Sequence, residues 1–133
     1  MNEPNTPSLS GLRVLVVEDS FLIATSLRDM VAGFGCRVIG PVANVAAAQR
    51  LLAEGRCDAA LLDIDLGGET SEPVAAAMTE RHLPFLFVTG YTSPAMLSAA
   101  YKQYPRVRKP LTELTLKRAM QEQFRNGPPA AVG

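Results

Sequence analysis

The chain reads as an α/β protein, a doubly wound five-stranded parallel sheet with five helices in a single domain. Three observations predict it. Short apolar runs rich in β-branched residues recur five times, and each is followed by a stretch with apolar residues at helical spacing. The length of 133 residues is that of one domain, able to bury roughly two-thirds of its unfolded surface. Strands that alternate with helices are joined by right-handed crossovers, which makes the sheet parallel and places helices on both of its faces.

The elements follow in order. Residues 12–17 form a nearly continuous apolar run that stops at Glu18-Asp19-Ser20, as a buried parallel strand would. Ser20 caps a helix in which Ile23, Leu27, Met30 or Val31, and Phe34 recur until Gly33 and Gly35 break the pattern. Residues 37–40 read as a second strand, Asn44 as the cap of a helix over 45–52, and Gly55 as its stop. Residues 59–63 form a third strand, followed by a Gly67-Gly68 loop and a helix opened by Ser71 and Pro73 and running to about residue 81. Residues 85–89 make the fourth strand, and Ser93-Pro94 opens a fourth helix to about residue 103. A brief strand over 106–108 precedes Lys109-Pro110, and Thr112 starts the last helix, which reaches about residue 124. Residues 1–10 and 127–133, rich in Pro, Gly, Asn and Ala, read as disordered tails around a domain of 11–126.

Composition narrows the function classes. With 47% hydrophobic and 20% charged residues the chain is not a disordered one, and no apolar run approaches the ~18 residues that cross a bilayer. The polar N-terminus has neither a basic nor an apolar signal segment, so a cytoplasmic protein without membrane insertion is expected. The two cysteines, Cys36 and Cys57, are too few for a disulfide framework and lack zinc-ligand spacing. The single histidine, His82, reads as a structural or surface residue, and Phe21, Phe34, Phe85 and Phe87 as core, with Phe21 the one that exposure beside Glu18-Asp19 would explain instead. A net charge of zero hides an asymmetry: eleven acidic and five basic side chains up to residue 80, against two acidic and eight basic beyond it. Arg106, Arg108, Lys102, Lys117 and Arg118 are either a docking surface for an acidic partner or a solvated face. No recognition helix accompanies them, so DNA is not the expected partner.

In open parallel sheets ligands bind beyond the carboxyl ends of the strands. Those ends carry Glu18-Asp19, Asp63 with Asp65 two residues on, Thr89, and Lys109. Acidic groups converging on one sheet edge repel each other unless a cation sits among them, and an all-oxygen set suits Mg²⁺ or Mn²⁺. A lysine and a hydroxyl nearby supply a point charge and a hydrogen-bond donor for a phosphoryl group. The set describes phosphoryl transfer to a carboxylate, with Asp63 as nucleophile.

Val14-Leu15-Val16-Val17-Glu18-Asp19-Ser20, Leu61-Leu62-Asp63-Ile64-Asp65-Leu66, Phe87-Val88-Thr89-Gly90-Tyr91 and Arg108-Lys109-Pro110, in that order on those strand ends, resemble the receiver domain of two-component response regulators over about residues 11–125. The resemblance implies a flavodoxin-like strand order of 2-1-3-4-5. It implies that Asp63 accepts phosphate from a histidine kinase or phosphotransfer protein, and that Asp19, Asp63 and the main-chain carbonyl of Asp65 hold Mg²⁺, Glu18 assisting directly or through water. It also implies that Thr89 contacts the phosphoryl group, that Lys109 pairs with it, and that the Lys109–Pro110 bond is cis. Asp65, Gly90 and Tyr91 flank the phosphoryl site and would tune switching and phosphate lifetime. Arg106 stands three positions before the lysine, where many receivers carry an inward-turning aromatic, so the usual aromatic readout is missing. In that strand order Cys36 and Cys57 lie too far apart for a disulfide. The Phe-x-Thr-Gly-Tyr stretch is similar to a subgroup of receivers that are often stand-alone and work by phosphotransfer or protein contact.

A stand-alone receiver that signals through a downstream protein partner is therefore expected: a signalling phosphoacceptor and not an enzyme beyond its own phosphotransfer and dephosphorylation. Two alternatives stay open. Asp63-Ile64-Asp65 also fits the Asp-x-Asp motif of small haloacid-dehalogenase-like phosphatases, although that motif normally sits on a first strand. A constitutively acting pseudo-receiver would keep the site without using it.

Overall fold

The computed structural model describes residues 8–90, 97–102 and 104–124. Its elements are β1 (Arg13–Val17), α1 (Phe21–Gly33), β2 (Arg37–Val42), α2 (Val45–Ala53), β3 (Ala59–Asp63), α3 (Glu72–Glu80), β4 (Phe85–Thr89), a 3-10 turn (Ala99–Tyr101), β5 (Arg106–Arg108) and α4 (Glu113–Gln123). All strand pairs are parallel and the sheet order is β2-β1-β3-β4-β5, as the resemblance implied.

Period-two alternation along the strands divides the core into two layers. Leu15, Val17, Ala60, Leu62, Phe85 and Phe87 face α2 and α3, meeting Ala48, Leu52, Val74 and Met78. Val14, Val16, Ala59, Leu61, Leu86 and Val88 face α1 and α4, meeting Leu27, Val31, Leu116 and Met120. Both layers are sealed from water, which is why β1, β3 and β4 read as unbroken apolar runs. The caps act where the sequence places them: Ser20 accepts from Ile23 N–H, Asn44 from Ala47 N–H, and Thr112 exchanges hydrogen bonds with Thr115 in a capping box. Cys36 and Cys57 are free and buried. Among the described residues no helix is long and apolar enough to cross a membrane.

Four expectations are corrected. The helix expected over 93–103 is absent from its described part, where the 3-10 turn stands instead; residues 93–96 and 103 lie outside the described residues, and the described α-helices number four. Strand β2 does not stop at Gly40 but runs to Val42 through a cis Gly40–Pro41 bond, with its register against β1 shifting between Leu15 and Val17. Gly40 sits at φ +93°, and a Cβ there would meet Val42 N at 2.9 Å, so only glycine fits. Phe21 is not core: it is 84% exposed, because Ala24, Leu27 and Val31 define the buried stripe of α1. Leu9, inside the stretch expected to be tail, is buried in the α1/α4 layer, where its carbonyl accepts from the Cys36 thiol.

Candidate functional site

Strand order fixes where the chemistry sits. Strand β1 lies between β2 and β3, so the chain reverses its winding there and the crevice opens beyond the ends of β1 and β3. Those ends are Glu18-Asp19 and Asp63. Carboxylate oxygens of Glu18, Asp19 and Asp63 all lie within 4.8 Å of one another. Glu18 and Asp63 are 2% and 3% exposed, while Asp19 opens to solvent.

Lys109 reaches the same point from β5. Its backbone N–H donates to Thr89 O at 2.8 Å, continuing the β4–β5 ladder by one residue. Its Nζ then stands 3.1 Å from Glu18 Oε1 and 3.3 Å from Asp63 Oδ1. The Lys109–Pro110 peptide is cis. Glu18 Oε2 accepts from Ser20 N–H at 3.1 Å, which turns the carboxylate inward at the start of α1. Glu18 Oε1 is buried and receives no aligned hydrogen bond; its contact with Lys109 is an ion pair only.

Electrostatics follow from this crowding. Burial, and then the neighbouring Glu18 carboxylate, push Asp63 up to about 7, against the opposing pull of Lys109. Burial alone would lower the Lys109 ammonium, but Asp63 and Glu18 override it and hold it above its ordinary value.

The loop after β3 shapes the crevice. Asp65 is exposed, and its Oδ1 accepts from Gly67 N–H at 2.9 Å, so its side chain is engaged by its own loop. Gly67 has φ +71°, and a Cβ there would come 3.0 Å from Asp19 Oδ2. Sequence reasoning noted this glycine only as a loop former. It likewise passed over Glu69, whose carboxylate accepts from Val45 N–H at 3.0 Å and ties the loop to the start of α2. No local pattern marks a contact across 24 residues.

Thr89 is buried at the end of β4, and its hydroxyl donates to Gly90 O at 2.8 Å. Gly90 and Lys109 border an apolar groove of about 490 Å³ formed with Leu22, Leu27, Met30 and Leu111. Arg106 and Arg108 are exposed on the edge strand β5, Lys102 is exposed after the 3-10 turn, and Lys117 and Arg118 are exposed on α4. Tyr91 lies outside the described residues. The aromatic weight beside β4 comes from elsewhere: Tyr104 stacks on Phe85 at 5.2 Å and Tyr101 meets Phe87 edge-on at 6.3 Å.

Residues 14–121 match the family model for the response regulator receiver domain. The chain belongs to that family. Among solved structures, this receiver is similar to SdrG from Sphingomonas melonis Fr1, at 36% identity over 83% of this chain and 93% of that one, with a TM-score of 0.74. It is also similar to the receiver domain of the PhyR response regulator from Erythrobacter litoralis, at 26% identity, 85% and 89% coverage and TM-score 0.74. A third is the signal receiver domain of a modulated diguanylate cyclase from Desulfovibrio desulfuricans G20, at 28% identity, 88% and 96% coverage and TM-score 0.73. No curated protein matches the chain.

The donor set of this receiver fits a hard divalent ion. It offers only oxygens, one of them the buried and unaligned Glu18 Oε1, and Gly67 leaves beside Asp19 the space that a side chain would fill.

Proposed function

We propose that this protein acts in the cytoplasm, where Asp63 accepts a phosphoryl group from the phosphohistidine of a histidine kinase or phosphotransfer protein in a Mg²⁺-dependent step, and that the phosphorylated receiver signals through protein contacts or onward phosphotransfer. The observation that carries this reading is the single crevice in which the buried Asp63 carboxylate meets both an acidic pair and the Lys109 ammonium. Asp19, Asp63 and the Asp65 main-chain carbonyl would hold the ion, with Glu18 at its flank. Bound Mg²⁺ would neutralise charge on the transferring phosphoryl oxygens.

An Asp63 carboxylate oxygen attacks phosphorus, the bond from phosphorus to the imidazole nitrogen breaks, and the leaving imidazole takes up a proton. Lys109 is placed to follow the charge from the carboxylate to the new acyl phosphate. Thr89 would exchange its bond to Gly90 O for one to a phosphoryl oxygen. The modification adds nearly two negative charges at the sheet edge, enough to reorder the loops after β3 and β4. Asp65, Gly90, Tyr91 and Arg106 would tune that response. The dehalogenase-type reading needs Asp65 as acid or base toward a substrate on Asp63, and the bond from Gly67 N–H to an exposed Asp65 speaks against it.

The test is intact mass after incubation with acetyl phosphate. One acid-labile phosphoryl group, requiring Mg²⁺ and absent from Asp63→Asn, is expected. A phosphoryl group appearing equally on Asp63→Asn would overturn the site. Mg²⁺ binding without modification by acetyl phosphate or any kinase would favour a pseudo-receiver.

A further inference from the structure

We propose that Glu72 is a clasp between the two loops that border the phosphoryl site: in the unmodified chain it holds the connection between β4 and β5 against the start of α3, and phosphorylation of Asp63 opens it. This role depends on the receiver reading and adds to it the contact that carries the modification away from the site.

Two hydrogen bonds link the phosphoacceptor strand to that connection. The carbonyl of Ile64, the residue after Asp63, accepts from Ser71 N–H at 3.1 Å, and the carboxylate of the adjoining Glu72 accepts from Ser98 N–H, 26 residues away. Ser98 precedes the 3-10 turn and its own hydroxyl caps nothing, so the Glu72 carboxylate fastens the turn from across the sheet edge. The fastening borders the tyrosine cluster. Leu97 beside it is buried, and Tyr101 N–H donates to Ser98 O at 3.0 Å. Burial first, then the Glu72 carboxylate, then Tyr104 raise the Tyr101 phenol above its ordinary value, in keeping with a carboxylate held near that ring.

The start of α3 has a second arrangement open to it. Ser71 stands at the N-cap with φ −84° and ψ 8°, not with the extended backbone of Ser20, Asn44 and Thr112, and its hydroxyl caps no N–H. That hydroxyl is buried and has no hydrogen-bond partner among the described residues. The closed clasp therefore leaves a polar group unpaired, which a turn of Ser71 to extended backbone would satisfy. Glu72 is partly exposed and can swing to water. Nearly two negative charges added on Asp63 repel its carboxylate and favour the open arrangement. The coupling is reciprocal: a chain that cannot close the clasp takes up the added charge more readily.

The test uses beryllofluoride with Mg²⁺, an anion that stands in for a phosphoryl group on a carboxylate, and follows amide exchange by NMR. Ser98 N–H of the wild type should exchange about tenfold faster once the probe is bound. In Glu72→Ala it should be that fast beforehand and gain nothing more. Ser98→Pro removes the donor at a φ of −69°, which proline adopts, and leaves the Glu72 charge in place. By calorimetry both variants should bind beryllofluoride about fivefold more tightly than wild type, whereas Glu69→Ala, which takes a charge from the same loop but frees it from α2 instead, should stay within about twofold.

Tighter binding in Glu72→Ala alone would be a plain charge effect and would overturn the clasp, as would wild-type Ser98 exchange that ignores the bound probe. In both cases the receiver reading stands. The wild-type exchange decides by itself if the variants do not fold. A wild type that binds no beryllofluoride, or an Asp63→Asn variant that binds it equally well, overturns the receiver reading and the clasp with it.

Discussion

The Lys109 ammonium stands 3.3 Å from Oδ1 of Asp63, yet the carboxyl is still pushed up to about 7, because burial and Glu18 outweigh the lysine. Asp63 therefore opposes folding when it ionises without metal. Its folded value lies above the unfolded one of about 4, so the advantage of the protonated form is complete below about pH 4 and is lost as pH rises through about 7. Asp63→Asn stays neutral throughout. In EDTA it should match wild type near pH 4 and exceed it at pH 8 by about 1–3 kcal/mol in urea unfolding. A less stable variant at pH 8 would remove this account of the site.

Gly67 marks the closest approach of the β3–α3 loop to the acidic pair. Gly67→Ala forces a side chain into a backbone at φ +71° and brings its Cβ to 3.0 Å from Asp19 Oδ2. The carboxylate tip can turn aside, so the stability cost should be about 1 kcal/mol. The turned carboxylate, however, leaves the ligand cluster. Mg²⁺ affinity should fall five- to tenfold by calorimetry, whereas Gly68→Ala, with open space around its Cβ, should show only the backbone cost.

Much of the fold was legible because local and tertiary preferences agree. Buried parallel strands need apolar residues on both faces, and the runs ending at Asp63 and Thr89 carry them without interruption. Strand ends in such a sheet form one edge, which is why Glu18, Asp19, Asp63 and Lys109 meet there. Agreement failed where tertiary contacts overrode local signals. Gly40-Pro41 reads as a breaker, but β2 is an edge strand, where a missing N–H is tolerated. Residues 97–104 look helical in composition. Leu97, however, is buried in the α2/α3 layer, and Tyr101 and Tyr104, linked by a Tyr104 N–H to Tyr101 O bond of 3.1 Å, pack together against β4. Phe21 was misread because size alone suggested core, while its helical phase points it to solvent.

At the opposite end of the sheet, Asp58 grips the start of β1. Its Oδ2 accepts from Arg13 N–H at 2.9 Å and Nε at 3.1 Å, and its Oδ1 from Nη2 at 2.8 Å. The Arg13 side-chain bonds hold Asp58 below its ordinary value despite burial. A depressed carboxylate adds stability above its unfolded value near 4, and that stability is lost as pH falls through the lower folded value. The Arg13 side chain is 39% exposed, so screening limits the gain to about 1 kcal/mol. Asp58→Asn should lose that amount at pH 7 and progressively less as pH falls below the unfolded carboxylate range, by urea unfolding, with phosphorylation of Asp63 unaffected.

The last prediction concerns where the aromatic weight near β4 lies. Arg106 occupies the position at which many receivers carry an inward-turning aromatic, but it is exposed on an edge strand. Tyr104 is instead half-buried, stacked on Phe85 with planes 11° apart, and lies 5.6 Å from Tyr101, which meets Phe87. Ring pairs in such offset or edge-on contacts add about 0.5–1.5 kcal/mol beyond the area they bury. Tyr104→Ala removes one stacked pair and part of another together with the apolar area of the ring, so it should cost about 2–3 kcal/mol. Arg106→Ala, on an exposed surface, should stay within about 0.5 kcal/mol of wild type. The two denaturation midpoints compare these positions directly, and equal losses would show that the tyrosine cluster does not anchor the segment between β4 and β5.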